Sequence, residues 1–176
     1  MTKKKIYFPL TNKEILSSLE AGEMLELNGI IYTARDQAHY RMIKLIEEGK
    51  KLPFELTNNA IYYCGPTPKR EDNLFGSAGP TTSSRMDKAF VILSSLGLSA
   101  SIGKGNRSAE VVEACKKYKS LYFITFGGAG AYLAKKILKQ ELIAFEELGP
   151  EAIYRLEVKD FPVIVSIDTK GKNILY

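Results

Sequence analysis

The chain has 176 residues, which is enough to bury a core in one domain or two small ones without disulfide crosslinks. Its formal charge of +5 favours an anionic ligand or an acidic partner, but the lysines are scattered and no aromatic-basic stripe indicates nucleic acid. The two cysteines stand apart without a CxxC or Cys/His cluster, so the sequence offers no zinc or iron–sulfur ligand set. No apolar run is long enough for a signal peptide or a membrane span. We therefore expect a reduced, cytoplasmic protein that contacts neither membrane nor nucleic acid.

The first third of the chain predicts strands and helices in alternation. KIYFPL indicates a first strand, and Thr11 with Glu14 forms a capping box for a helix that Gly22 ends. EMLELNGIIYTA alternates apolar and polar residues around an Asn-Gly pair, which is typical of a β-hairpin. From Asp36 the apolar spacing predicts a helix that continues to Gly49.

The rest of the chain continues the α/β pattern. AIYYCGP, SASIG and LYFITF indicate buried strands, and RMDKAFVILSSLG and SAEVVEACKKY indicate helices, the second capped by Ser108. GGAGAYLAKKIL predicts a glycine-rich entry into a further helix, and the tail holds two or three strands with Pro162 at a strand edge. Since no repeat or linker divides the chain, we expect a single domain over residues 1–176 with a mixed sheet and flanking helices.

Three glycine-rich turns follow predicted strands, at residues 76–83, 103–106 and 127–131. The first, GSAGPTTS, is dense in hydroxyls and small residues that let a backbone approach a ligand. Where such turns meet at one edge of a sheet, helix N-termini and free backbone N–H groups can point into a common crevice. The sequence therefore predicts an anion site at this edge.

Several motifs are missing from the sequence, and their absence disfavours a nucleotide site and a hydrolase triad. No segment has the Walker spacing, GGAGAY lacks the GxGxxG spacing, and no GxSxG accompanies the only histidine, His39. The cations beside the glycine turns are Arg35, Arg85 and Lys104. Two arginines can each bind a carboxylate through paired hydrogen bonds, so a small dicarboxylate suits this trio, although each cation alone is equally explained as a solvated surface charge.

Five motifs in order resemble the C-terminal catalytic half of the iron–sulfur-dependent fumarase and tartrate dehydratase family. In two-subunit members of that family this half is a separate β chain of about this size. The motifs are TARDQAH (33–39), YCGPTP (63–68), FGSAGPTTSSRMD (75–87), IGKGNRS (102–108) and FGGAGAYLAKKI (126–137).

The resemblance implies a reaction, a cofactor and a partner. Family members add water to fumarate, or remove it from malate or tartrate, with a [4Fe-4S] cluster whose cysteines the α chain supplies. The chain would then be the β subunit of a heteromer, with a swivelling β/β/α fold and no metal ligands of its own. We favour fumarase over tartrate dehydratase, and a non-catalytic dicarboxylate-binding module stays open as a different class of function.

The resemblance also assigns roles to individual residues. Arg35 and Arg85 would bind substrate carboxylates with Lys104, and Thr81 would be the hydroxyl base that accepts a proton. An aliphatic hydroxyl is a weak acid, so only a strongly electropositive site could make Thr81 a base, and a helix cap or a hydrogen-bond donor to a ligand is the simpler interpretation. His39 lies one helical turn after Arg35, and it either donates to a substrate oxygen, shuttles a proton or is a structural histidine.

Further substrate contacts are expected from the glycine turns. Asn106 is either such a contact or a turn residue, and Asp87 is a candidate to orient Arg85. The hydroxyls of the first turn are equally explained as helix caps. The expected substrate-binding residues are Arg35, Gly79, Thr82, Ser83 and Asn106.

Overall fold

A closed sheet forms the centre of the molecule. A computed structural model describes residues 3–68 and 75–175, and within them seven strands pair in the order β1-β2-β3-β4-β5-β7-β6, with β7 also paired to β2. The strands are β1 Lys4–Phe8, β2 Met24–Thr33, β3 Ala60–Tyr62, β4 Ala100–Gly103, β5 Leu121–Ile124, β6 Ile137–Ala144 and β7 Ile153–Ile167.

Helices lie between the strands. They are α1 Asp36–Glu47, α2 Asp87–Ser95, α3 Ala109–Tyr118 and the short α4 Gly130–Ala134, with 3₁₀ helices at Lys13–Ser18, Ser83–Met86 and Glu146–Glu151. This mixed sheet with flanking helices confirms the predicted α/β class. No helix of the described residues is both long and apolar enough to cross a membrane.

The pairing brings the ends of four strands to one edge. Strands β1 to β5 run parallel, and β7 runs antiparallel to β2, β5 and β6. Because parallel strands end on the same side, the segments that follow β2, β3, β4 and β5 meet there. We call this side of the sheet the loop edge.

Two apolar layers hold the fold together. Ala60 and Tyr62 of β3 point into the closed sheet, with Phe123 of β5 and Phe161 of β7. The alternate residue Ile61 points outward, where it packs with apolar residues of α1, α2 and α3. The period-2 alternation of buried strands therefore separates the interior of the sheet from the layer beneath the helices.

The Asn-Gly pair does not form the predicted hairpin, because β2 continues through it. A type I′ turn needs positive φ at both central residues, and only Gly29 has one, at 90°. The register to β7 shifts between Leu27 and Gly29, and the Asn28 side chain accepts a hydrogen bond from the Asp160 amide at 3.0 Å. The pair marks a bulge where β1 comes close: a methyl group on Gly29 would overlap the Phe8 carbonyl oxygen.

Three other details differ from the sequence prediction. Asn12, not Thr11, caps the first helix: its side chain accepts the Glu14 amide at 2.9 Å, and the helix is a 3₁₀ helix that ends before Gly22. Pro162 lies inside β7 rather than on an edge strand. It is tolerated because β6 pairs only up to residue 158 of β7 and β5 pairs only from residue 164.

The last difference concerns α4, which is one turn long instead of the longer helix expected from GGAGAYLAKKIL. Its sequence passes into β6, where Ile137 enters the interior of the sheet. Ser108 does precede α3 as predicted, but without a side-chain cap bond of its own.

Gly29 gives a test of the bulge. Gly29→Ala should lower the free energy of unfolding by about 3 kcal/mol, because the methyl group meets the Phe8 carbonyl and the backbone angle disfavours an L side chain. Gly49→Ala is the control, since Gly49 also has positive φ but open space around it, and about 1 kcal/mol is expected. Equal losses in urea denaturation would contradict the close approach of β1.

Candidate functional site

Backbone hydrogen bonds join the segments of the loop edge. The Thr81 amide donates to the Tyr63 carbonyl at 2.7 Å, and the Ser83 amide donates to the Lys104 carbonyl at 3.0 Å. The Ala78 amide donates to the Gly130 carbonyl at 3.1 Å. The three glycine-rich turns therefore do meet at one edge of the sheet, as their positions after predicted strands indicated.

Glycines allow the closest of these approaches. A methyl group on Gly130 would overlap Ser77 Oγ and lie 3.1 Å from the Gly79 nitrogen. A methyl group on Gly79 would contact the Gly130 Cα at 3.5 Å. Gly79, which was expected to touch substrate, thus packs against the start of α4, and its immediate part in the structure is to let these two turns come together.

Two of the predicted cations meet on one carboxylate that the sequence analysis did not single out. Arg85 Nε lies 3.0 Å from Asp36 Oδ1, and Arg35 Nε lies 3.9 Å from Asp36 Oδ2. The Arg35 guanidinium rests against Gly65, where a Cβ atom would be 2.9 Å from Nη1. The Arg85 side chain is about half exposed at 49%. Asp36, rather than Asp87, therefore orients Arg85.

Lys104 lies beside the arginine-bearing turn. Residues Thr82 and Lys104 form an isolated parallel bridge, and the Lys104 stem passes Gly127, where a Cβ atom would be 3.5 Å from Lys104 Cδ. Thr82, Lys104 and Asn106 are all exposed. Positive φ in this turn belongs to Gly105, so Asn106 is not needed for a left-handed conformation.

Thr81 is half-buried and its backbone is held by Tyr63. Its hydroxyl has no hydrogen-bond partner within the described residues. The following 3₁₀ helix has Thr82 at its N-cap position, without a side-chain cap bond. The simpler interpretation of Thr81 as a helix cap therefore does not apply.

Ser83 differs from the expectation of a substrate contact, because its side chain is fully buried. Its Oγ accepts a hydrogen bond from the Lys104 amide at 3.1 Å and lies 2.9 Å from the Tyr122 hydroxyl. These bonds face the interior. In this structure Ser83 links two turns of the loop edge instead of presenting its hydroxyl to a ligand.

His39 is also buried, on the inner face of α1. Its Nδ1 lies 2.8 Å from the Arg35 carbonyl oxygen, and its ring meets the Tyr63 ring edge-on at 5.3 Å between centroids. Since a carbonyl only accepts, Nδ1 carries the proton. Burial lowers the pKa of His39 to about 4, so the imidazole is neutral at pH 7. Its hydrogen bond holds the backbone carbonyl of Arg35.

Beneath the loop edge lies a charge pair that the sequence analysis missed. Arg107 is buried and its Nε donates to Asp87 Oδ1 at 2.5 Å, while Asp87 Oδ2 accepts the Ser108 amide at 2.8 Å. The guanidinium carbon lies 4.6 Å from the centre of the Tyr122 ring and 5.3 Å from that of Tyr63. Local spacing gives no sign of this pair, because Asp87 stands 20 residues before Arg107 in the chain.

The described residues do not fit an iron–sulfur cluster. Cys64 lies inside the closed sheet and Cys115 lies on the buried face of α3. Burial raises the pKa of each thiol to about 12, which disfavours the thiolate form that binds iron. Within residues 3–68 and 75–175, no three His, Cys, Asp or Glu side chains are grouped to hold a metal ion.

Comparison with known proteins identifies the family of the chain. The profile described as Fumarase C-terminus matches residues 2–176. The chain belongs to the fumarase C-terminal family. It is 42% identical over 166 residues to the anaerobic class I fumarate hydratase of Escherichia coli, a match that covers 92% of this chain and 30% of that protein.

Shorter members of the fumarase C-terminal family match over most of their length. The putative L(+)-tartrate dehydratase subunit beta of Methanocaldococcus jannaschii is 39% identical over 173 residues, covering 94% of this chain and 87% of that protein. The L(+)-tartrate dehydratase subunit beta of Escherichia coli is 33% identical over 177 residues, covering 98% and 87%. By contrast, the chain spans less than a third of the fumarate hydratases.

The buried His39 predicts a pH dependence of stability. Its pKa is about 4 in the folded chain against an ordinary value near 6.5, so below pH 6.5 the unfolded chain binds a proton that the folded chain does not. Stability should therefore fall by up to about 3 kcal/mol from this group as the pH drops from 7 to 4.

Two measurements check this expectation. Denaturation of His39→Gln should show a shallower loss of stability with acid than the wild type, and equal slopes would contradict it. Because the sequence has one histidine, its NMR signals in a chain without a histidine tag report the pKa directly. A value near 6.5 would show an accessible imidazole.

Proposed function

We propose that the chain is the β subunit of a cytoplasmic two-subunit [4Fe-4S] hydro-lyase that interconverts fumarate and malate by reversible addition of water. The observation that carries the proposal is the meeting of Arg35, Arg85, Lys104 and Thr81 at the loop edge, the two arginines about one carboxylate. Membership of the fumarase C-terminal family supports the same reaction class.

The cations bind the substrate carboxylates. Arg85 meets Asp36 through Nε, its side chain is half exposed, and its two terminal nitrogens have no hydrogen-bond partner among the described residues, so they are available to a ligand. They can form the paired bonds that a carboxylate accepts. Lys104 adds a compact charge next to the turn that carries Arg85, and Arg35 lies near the other carboxylate oxygen of Asp36. A four-carbon dicarboxylate meets this arrangement with one carboxylate at each end.

Thr81 accepts the proton from the substrate carbon. In the direction from malate, the C–H bond beside one carboxylate breaks, its proton passes to the deprotonated Thr81 oxygen, its electron pair forms the double bond, and hydroxide leaves the neighbouring carbon. The positive charges of Arg85 and Lys104 stabilise both the alkoxide and the charge that builds on the carboxylate. The Tyr63 carbonyl fixes the Thr81 backbone, so the hydroxyl is presented from a rigid support.

The partner is an α subunit that carries the cluster. The site residues Thr82, Arg85, Lys104 and Asn106 are exposed, so this chain contributes an open surface and not an enclosed cleft. Two relatives of nearly the same length are named as beta subunits. We propose that the α subunit covers the loop edge, excludes water from it and holds the iron–sulfur cluster on its own residues.

A tartrate dehydratase β subunit is the second candidate. It is favoured by the match over 87% of two beta-subunit relatives, whereas the fumarate hydratases match over about 30% of their length. A third possibility, a dicarboxylate-binding module without catalysis, has the same cations but does not need the Thr81 hydroxyl. The substrates separate all three.

An anaerobic assay tests the proposal. The chain alone, and the chain mixed with a cluster-loaded α subunit, are followed by fumarate absorbance with malate and fumarate as substrates, and by product analysis with tartrate. We expect activity in the mixture only, with malate and fumarate preferred. Preference for tartrate would establish the second candidate, and an inactive mixture with a stable complex and an intact cluster would leave the binding module.

Arg85→Ala should lower kcat/KM of the assembled enzyme by about a thousandfold, because a charge-assisted bidentate contact in a water-excluded site is lost. Lys170→Ala is the control, since Lys170 is also an exposed cation with a carboxylate partner, Glu20 at 3.3 Å, but it follows the end of β7 that pairs with the start of β2, opposite the loop edge. Its activity should be unchanged. Near-normal turnover of Arg85→Ala with assembly intact would remove Arg85 from the site.

Thr81→Val removes the hydroxyl at nearly constant shape, and it should lower kcat by at least about a hundredfold with little change in KM. Thr81→Ser should retain most of the activity because it keeps the hydroxyl. Malate deuterated at the carbon that loses the proton should show a larger isotope effect in the Val variant. A rise in KM alone would instead make Thr81 a binding residue.

A further inference from the structure

We propose that Tyr122 is a positioning residue that, through Ser83, fixes the turn carrying Lys104 against the turn carrying Thr81 and Arg85. The inference deepens the proposed function and rests on it. Tyr122 lies on β5 below the loop edge and is fully buried, so it does not touch substrate. Tyr122 affects the reaction only by fixing the relative positions of the two turns.

The hydroxyl of Tyr122 stands between both turns. It donates to the Gly105 carbonyl oxygen at 2.8 Å and lies 2.9 Å from Ser83 Oγ. Because Tyr122 has a single hydroxyl proton and the Gly105 carbonyl can only accept, the Ser83 proton completes the second bond. Ser83 Oγ in turn accepts the Lys104 amide at 3.1 Å. Three bonds thus form one chain from Gly105 back to Lys104.

The surroundings leave this chain of bonds little freedom. The Arg107 guanidinium lies over the Tyr122 ring at 4.6 Å and fixes its plane. A methyl group on Gly103 would overlap Ser83 Oγ, so the serine is seated directly on the backbone of β4. Burial raises the pKa of Tyr122 above its ordinary value, which keeps the phenol protonated and able to donate.

The consequence is a fixed spacing between groups that act together. Ser83 follows Thr81 by two residues and precedes Arg85 by two, and its amide also donates to the Lys104 carbonyl at 3.0 Å. Without the Tyr122 hydroxyl, Gly105 and Ser83 each lose a partner and the Lys104 turn is held by fewer bonds. A displacement of about 1 Å at a reacting centre costs up to about a hundredfold in rate.

The test uses Tyr122→Phe, Ser83→Ala and the double variant in the assembled enzyme. Tyr122→Phe keeps the ring over Arg107 and removes the hydroxyl alone. We expect each single variant to lower kcat about tenfold with KM changed less than about threefold, and the double variant to be no worse than about the stronger single one, because all act on one chain of bonds.

Ser120→Ala is the matched control for a lost buried hydroxyl. Ser120 is fully buried, and its Oγ donates to the Leu98 carbonyl at 2.7 Å at the opposite edge of the sheet. It should lower the thermal midpoint about as much as Ser83→Ala while kcat is kept. Full activity of Tyr122→Phe, losses that multiply in the double variant, or an equal loss of kcat in Ser120→Ala would each overturn the proposal.

Amide hydrogen exchange separates this proposal from the proposed function. In the full chain without its partner, Lys104 should exchange faster in both single variants than in the wild type, because its amide loses its acceptor or that acceptor becomes mobile. Unchanged exchange would overturn the positioning role. An inactive wild-type mixture with faster exchange in the variants would reject the hydro-lyase and retain the link between the two turns.

Discussion

The ion pair between Arg107 and Asp87 is the constraint on which the loop edge depends. A guanidinium with no exposed surface is tolerated only where its charge and its donors are matched, and Asp87 supplies the charge. Asp87 opens α2, Arg107 ends the turn after β4, and the second Asp87 oxygen caps α3 through the Ser108 amide. One buried pair therefore joins two helices and one turn directly beneath the exposed cations.

The ionisable groups of the site form a buried layer beneath the loop edge and an exposed layer at it. In the buried layer, the charges of Arg107 and Asp87 neutralise each other, and His39 is uncharged because burial holds its pKa near 4. At the surface, two arginines share one carboxylate, so the positive charge is in excess where a ligand would arrive. An excess of charge in water binds an anion weakly, because solvent screens it. Strong binding requires a covering surface, which is the reason that a partner belongs to the proposal.

The sequence predicted much of this fold and part of the site, and the failures have physical causes. Helical spacing and buried apolar runs indicated the strands and helices because they depend on local pattern. The prediction of an Asn-Gly hairpin was wrong because Gly29 allows the close approach of Phe8, a contact that no local sequence pattern indicates. Asp36 and Arg107 were missed as organising residues because their partners are distant in the chain. The spacing in RMD suggested Asp87 for Arg85, but residues two apart on a helix do not face each other.

The closed sheet makes this domain a self-contained unit, and the domain matches relatives of different length. The long antiparallel pairing of β2 with β7 completes a ring with β3, β4 and β5, so the interior is covered by the chain's own strands. Among the described strands, β1 and β6 lie outside the ring and keep one unpaired edge each. The ring itself needs no strand from a neighbouring domain, and the contact that we propose with the rest of an enzyme is at the loop edge. A unit closed in this way agrees with a match to about 30% of a fumarate hydratase and to 87% of a putative tartrate dehydratase subunit beta.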